Sequence, residues 1–88
     1  MRIDMNQFGR FLISRPAGRE AFLAARAYSL PKNTNAKIEL DFSHVTVLTP
    51  SWIDEFMHGL EQEYKPDQIK VLPTNNSSVT LALKAIRN

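Results

Sequence analysis

The sequence contains no cysteine and only three glycines in 88 residues. Without thiols there are no disulfides, no thiolate metal sites and no cysteine nucleophile, so stability has to come from packing. Gly9, Gly18 and Gly59 stand apart from one another, which removes the glycine-rich loops that cradle phosphates. No apolar run approaches the roughly 18 residues that a membrane helix needs, and Met1-Arg2-Ile3-Asp4-Met5-Asn6 lacks the apolar stretch of a signal peptide. The expectation is a soluble, cytoplasmic protein that makes no membrane contact. One-sided charge is also scarce: the formal net charge of +2 is too small to argue for a nucleic-acid binder.

What remains is the composition of a globular chain, 43% apolar and 23% charged, of a length that fits one domain spanning residues 1–88. A core this small is compatible with a homodimer. Charge is divided unevenly along it. Residues 1–37 carry seven cations against Asp4 and Glu20, a net +5, and residues 38–88 carry four cations against seven acids, a net −3. Such a split either steers an acidic partner to one face or is ordinary surface segregation.

Arg2 to Met5 alternates polar with apolar, and Arg10-Phe11-Leu12-Ile13 follows shortly after, so the start reads as a hairpin or as two edge strands. Ser14-Arg15-Pro16 opens a helix to about Tyr28, since a proline in the first turn loses no helical hydrogen bond. Ala17, Gly18, Ala21, Phe22, Ala24, Ala25 and Tyr28 form a broad apolar face whose small residues suit close approach to a sheet. Pro31-Lys32-Asn33-Thr34-Asn35 is a polar loop, and Lys37 to Phe42 alternates with period two, the pattern of a strand flanking the centre of its sheet. Thr49-Pro50-Ser51 opens an amphipathic helix that ends near Tyr64-Lys65-Pro66, with Trp52, Ile53, Phe56, Met57, Leu60 and Tyr64 on one arc. Ile69 to Leu72 is a short strand, and Asn76-Ser77-Ser78 caps a last helix carrying Val79, Leu83 and Ile86. This alternation predicts an α/β fold: a small parallel sheet of about four strands faced by three helices.

Four groups of residues could carry function. Ser51 lies at the mouth of the central helix, where free N–H groups favour an oxygen acceptor. Either Ser51 or Thr49 is its N-cap, or Ser51 is a hydroxyl open to phosphorylation, which would add about −1.5 to −2 charges. Asp54, His58 and Glu61 recur at i, i+4 and i+7 on one face; with Asp41 they could serve a small-ligand or enzymatic site, although the pattern is more often a solvated face, and no metal signature accompanies it. His44 has no sequence partner for a triad. Arg19, Leu23, Arg26 and Leu30 form a stripe with two apolar residues that lack an evident core, a docking patch or ordinary surface. Arg10, Arg15, Arg19 and Arg26 are the cations that a nucleic-acid reading would use.

The stretch from Ile38 to Phe56, with Ile38-Glu39-Leu40-Asp41-Phe42, Ser43-His44-Val45 and Ser51-Trp52-Ile53-Asp54-Glu55-Phe56 at its heart, resembles the STAS-like domain family of unknown function, a family related to the STAS domains of anti-sigma factor antagonists. Phe11 to Glu20 is similar to its strand-to-helix segment. The resemblance implies a STAS-like α/β domain acting as a non-enzymatic regulatory switch, bound by an ATPase-type serine kinase or another signalling protein and needing no cofactor. In the antagonists an Asp-Ser-Ser-Gly turn carries the phosphorylated serine; that turn falls on Thr49-Pro50-Ser51-Trp52, placing the acceptor at Ser51 but with different neighbours. The implied partner surface is Thr49, Pro50, Ser51, Trp52, Asp54, Glu55 and His58, with Arg15 and Arg19 from the preceding helix.

Overall fold

A computed structural model describes residues 1–33 and 35–86, so residue 34 of the expected polar loop lies outside the described residues. The order is β1 (Arg2–Asp4), a 3-10 turn (Met5–Phe8), β2 (Phe11–Leu12), α1 (Arg15–Tyr28), β3 (Ile38–Asp41), β4 (Val47–Leu48), α2 (Pro50–Glu61), a second 3-10 turn (Pro66–Gln68), β5 (Ile69–Val71) and α3 (Ser77–Ile86). Every strand pair is parallel. The α/β class is therefore as the alternation predicts, with the strands divided between a three-stranded sheet, β1-β3-β5, and a two-stranded one, β2-β4.

The first two strands do not form a hairpin. The Asp4 carboxylate accepts the Asn6 N–H at 3.0 Å and starts the 3-10 turn, and Gly9, at φ 121°, redirects the chain from one sheet to the other. Nor does β3 flank its sheet: it is the central strand, with Ile3 and Val71 in register on either side of Leu40. Its polar alternation survives there because Ile38 and Leu40 face the core while Glu39 and Asp41 stay half-exposed on the other side.

The broad face expected on α1 is narrower in the fold. Gly18, Ala21, Phe22 and Ala25 are buried, whereas Ala24 is exposed and Tyr28 is 90% exposed. The reason is its neighbour: α1 lies against α2, with Gly18 on the Trp52 backbone, and a helix covers a thinner stripe than a sheet would. Leu30 also leaves the proposed surface stripe. The helix ends at Tyr28, the N–H groups of Ser29 and Leu30 both donate to the Ala25 carbonyl, and Leu30 turns into the core at 7% exposure. On α2 the predicted arc holds, with Trp52, Ile53, Phe56 and Leu60 buried. Tyr64 joins them from beyond the helix end, its hydroxyl donating to the Pro31 carbonyl at 2.8 Å. Trp52 stacks on Phe56 with ring centres 5.1 Å apart, and Phe22 meets Phe56 edge-on at 6.2 Å. No helix among the described residues is long and apolar enough to cross a membrane.

Candidate functional site

Three elements converge on the start of α2. The β4 strand delivers Thr49, whose extended backbone and hydroxyl make it the N-cap: its Oγ1 accepts the Trp52 N–H at 3.4 Å. The same hydroxyl and the Thr49 N–H both donate to the Leu12 carbonyl, at 3.2 and 3.0 Å, tying the cap to β2. Of the two cap candidates the structure thus uses Thr49. Pro50 follows in the first turn, and Ser51 is exposed, its hydroxyl without a hydrogen-bond partner among the described residues.

On the neighbouring helix, Ser14 caps α1 through its Oγ, which accepts the Ala17 N–H at 3.3 Å. That places Arg15 beside α2, where Nη1 donates to Asp54 Oδ2 at 2.9 Å and to Glu55 Oε2 at 3.1 Å. Bonds to Asp54 and then to Glu55 raise the Arg15 pKa above its already high ordinary value, so the group is a permanent cation. Arg15, Pro50, Ser51 and Asp54, with Ala85 and Ile86 from the end of α3, line a shallow hollow of about 320 Å³. No sequence signal joins residue 15 to residues 54 and 55, because the pairing depends on how two helix starts are docked.

Several expected site residues are placed otherwise. Trp52 is 1% exposed and belongs to the core, so it is not a contact for a partner; its neighbours Phe56 and Phe8 claim the ring. Arg19 is exposed on α1, as are His58 and Asp54 on α2, while Glu55 is half-buried against Arg15. Asp54, His58 and Glu61 do line one cleft of about 270 Å³, with Met57, Pro66, Ile69 and Ile86. Asp41 is not with them. It sits at the end of β3, accepts the Ser43 N–H at 2.9 Å and faces Arg2 Nε at 3.8 Å; the Ser43 bond is the main cause of its lowered pKa. The four-residue ligand site is therefore not assembled, and no group of three or more His, Asp or Glu among the described residues could hold a metal ion.

His44 has neighbours that the sequence did not indicate, Ser43 Oγ at 3.3 Å and Asp4 Oδ2 at 3.9 Å. Both approach Nδ1, whereas a Ser-His-Asp relay needs them on opposite nitrogens, so the cluster is not a triad. The Ser78 hydroxyl, also unforeseen, bonds both the Leu48 N–H (3.0 Å) and the Leu48 carbonyl (3.2 Å), pinning α3 to β4 and fixing one wall of the hollow.

Neither curated proteins nor solved structures gave a match to this chain. A family model, described as a STAS-like domain of unknown function, matches residues 26–79. The matched segment runs from the end of α1 to the start of α3 and includes the Thr49–Glu55 corner, while Ser14, Arg15 and Arg19 precede it. With more than half of its length inside that match and three helices on small parallel sheets, the chain belongs to the family of STAS-like domains of unknown function.

Proposed function

We propose that this domain is a non-enzymatic, regulatory protein-interaction module switched by phosphorylation of Ser51. One observation carries the reading. Thr49 performs the capping task, so Ser51 has no structural duty and offers a free hydroxyl in the first turn of a 12-residue helix. A phosphate there would gain from the positive helix end and from Arg15, and would be opposed by Asp54 and Glu55, which already share that guanidinium. The switch is thus a three-way competition for Arg15, which alters the charge presented around the hollow without disturbing the core. The partner in this reading is a signalling protein, with an ATPase-type serine kinase as the modifying enzyme.

The test is phosphopeptide mapping of the protein recovered from the cells that make it, alongside crosslinked partner capture by S51A and S51E. Phosphoserine at residue 51 and different capture by the two variants is the expected result. An unmodified residue 51 in every growth state, together with equal capture by both variants, would overturn the switch.

A further inference from the structure

The outer edge of β5 is open, and none of the strand's residues lines the hollow at Ser51. Parallel ladders engage alternate residues of a strand. Because the Leu72 N–H donates to the Leu40 carbonyl at 2.9 Å, Lys70 and Leu72 serve β3, and Val71 directs both its N–H and its carbonyl away from the sheet. With β5 last in the order β1-β3-β5, nothing among the described residues pairs with those two groups. The edge is short: the Ile69 N–H is taken by the Pro66 carbonyl, and Pro73 has no N–H to offer. Beside it runs a groove of about 450 Å³ between β5 and α3. Ile69, Val71, Leu72 and Leu83 give it an apolar, half-buried floor, and Lys70 and Lys84 stand on its strand and helix sides.

We propose that this groove binds an extended acidic peptide segment of a partner protein as an added strand on β5, with apolar side chains alternating with carboxylates. A donor and an acceptor presented by one residue of a strand edge are matched by another polypeptide strand. The floor accepts alternate apolar side chains, since a strand turns every second residue to the same face. The two lysines have no acidic partner among the described residues, and their charge selects a segment bearing Asp or Glu. Edge lysines also deter indiscriminate strand pairing, so the same residues that admit an acidic strand turn away a basic one.

The experiment is an NMR titration of the full chain with a short peptide of alternating valine and glutamate, and with its valine and lysine counterpart. The acidic peptide should give saturable shifts at Ile69–Leu72 and Thr80–Lys84 and slow exchange of the Val71 amide. Binding should weaken about tenfold or more in K70E/K84E and on raising salt. V71P deletes the outward N–H and spares the groups that serve β3, but it also replaces a half-buried side chain packed on the core, so in a folded protein it should lower affinity more than V71A does. The proposal is overturned by an acidic peptide that gives no saturable response, or one indifferent to the charge reversal. Saturable shifts with oligothymidylate in its place would assign the groove to nucleic acid, and concentration-dependent shifts of these amides in the protein alone would assign it to a second copy; either overturns the proposal.

Discussion

Gly18 of α1 presents its bare Cα to the backbone of Trp52 in α2, and a methyl group there would run into the Trp52 carbonyl oxygen. The contact is reciprocated one face along, where a Cβ on Gly59 of α2 would lie 2.5 Å from Cγ of Phe22 in α1. Each helix thus uses one glycine to admit the other, and the docking they allow brings Arg15 within reach of Asp54 and Glu55. Both G18A and G59A should destabilise the domain by about 1–3 kcal/mol through overpacking. They should differ in rescue. Replacing Phe22 with leucine removes the obstacle at Gly59, so G59A should cost less in the F22L background, whereas no side-chain change relieves a clash with backbone at Gly18. Urea midpoints for the four single and double variants check this; G18A with wild-type stability would mean that the helices are not in backbone contact.

Thr49 and Ser51 are separated by one proline yet have opposite tasks, so their substitutions should separate cleanly. T49A loses the helix cap and the bond to the Leu12 carbonyl and should cost about 0.5–2 kcal/mol. S51A removes an exposed hydroxyl with no partner among the described residues and should fall within about 0.5 kcal/mol of wild type. T49S, which keeps the capping oxygen, should recover most of the loss. If S51A proved the costlier change, the assignment of the cap would be wrong and the hydroxyl would not be free for modification.

How much of this was legible in the sequence depended on the range of the interaction. The three helices, their starts at Ser14, at Thr49 or Ser51 and at Asn76, and the buried arc from Trp52 to Leu60 follow from local spacing and capping residues, which act within a turn or two. Leu30, Ala24 and Tyr28 lie elsewhere than their spacing predicts because periodicity gives the orientation of a residue but neither the width of its partner nor the place where the helix stops. The division into two sheets depends on Gly9 and the Asp4 turn redirecting a short extended segment, for which alternation carries no signal. Arg15 with Asp54, Ser78 with Leu48, and the open edge at Val71 are tertiary facts, spanning 39 and 30 residues in the first two cases. The Thr49–Trp52 corner was located by resemblance, but only the capping geometry distinguishes Thr49, Ser51 and Trp52 as cap, free hydroxyl and core ring.

Arg15 should register the charge of residue 51 even though the ion pairs themselves contribute little to stability. The guanidinium and Asp54 are each about half exposed, so R15Q alone should cost little at low salt and less as salt is added. S51E brings a third carboxylate to the same corner, tolerated while Arg15 is present and opposed by Asp54 and Glu55 once it is gone. S51E should therefore be more destabilising in the R15Q background than in the wild type. A double-mutant cycle by urea denaturation at low and high salt measures this coupling. A coupling energy of zero at low salt would remove Arg15 from the proposed competition.

Tyr64 should impose an alkaline limit on stability. Burial, and to a lesser extent the charge of Glu63, raise its pKa above the ordinary 10.0. In the unfolded chain the phenol ionises near its ordinary value, while the folded protein holds it neutral, donating to the Pro31 carbonyl at 2.8 Å. The unfolded state thus releases its proton first, so the contribution of Tyr64 is intact below pH 10 and declines as pH rises through the folded value. Y64F keeps the ring but loses the hydrogen bond, which should cost about 0.5–1.5 kcal/mol at pH 7. It also removes the ionisation, so the gap between wild type and Y64F should narrow above pH 10. The single tryptophan, Trp52, lies in the core and reports unfolding in each case. Stability curves of wild type and Y64F that stay parallel up to the alkaline transition would show that the Tyr64 phenol ionises as readily in the fold as outside it, and would contradict its place between α2 and the Pro31 carbonyl.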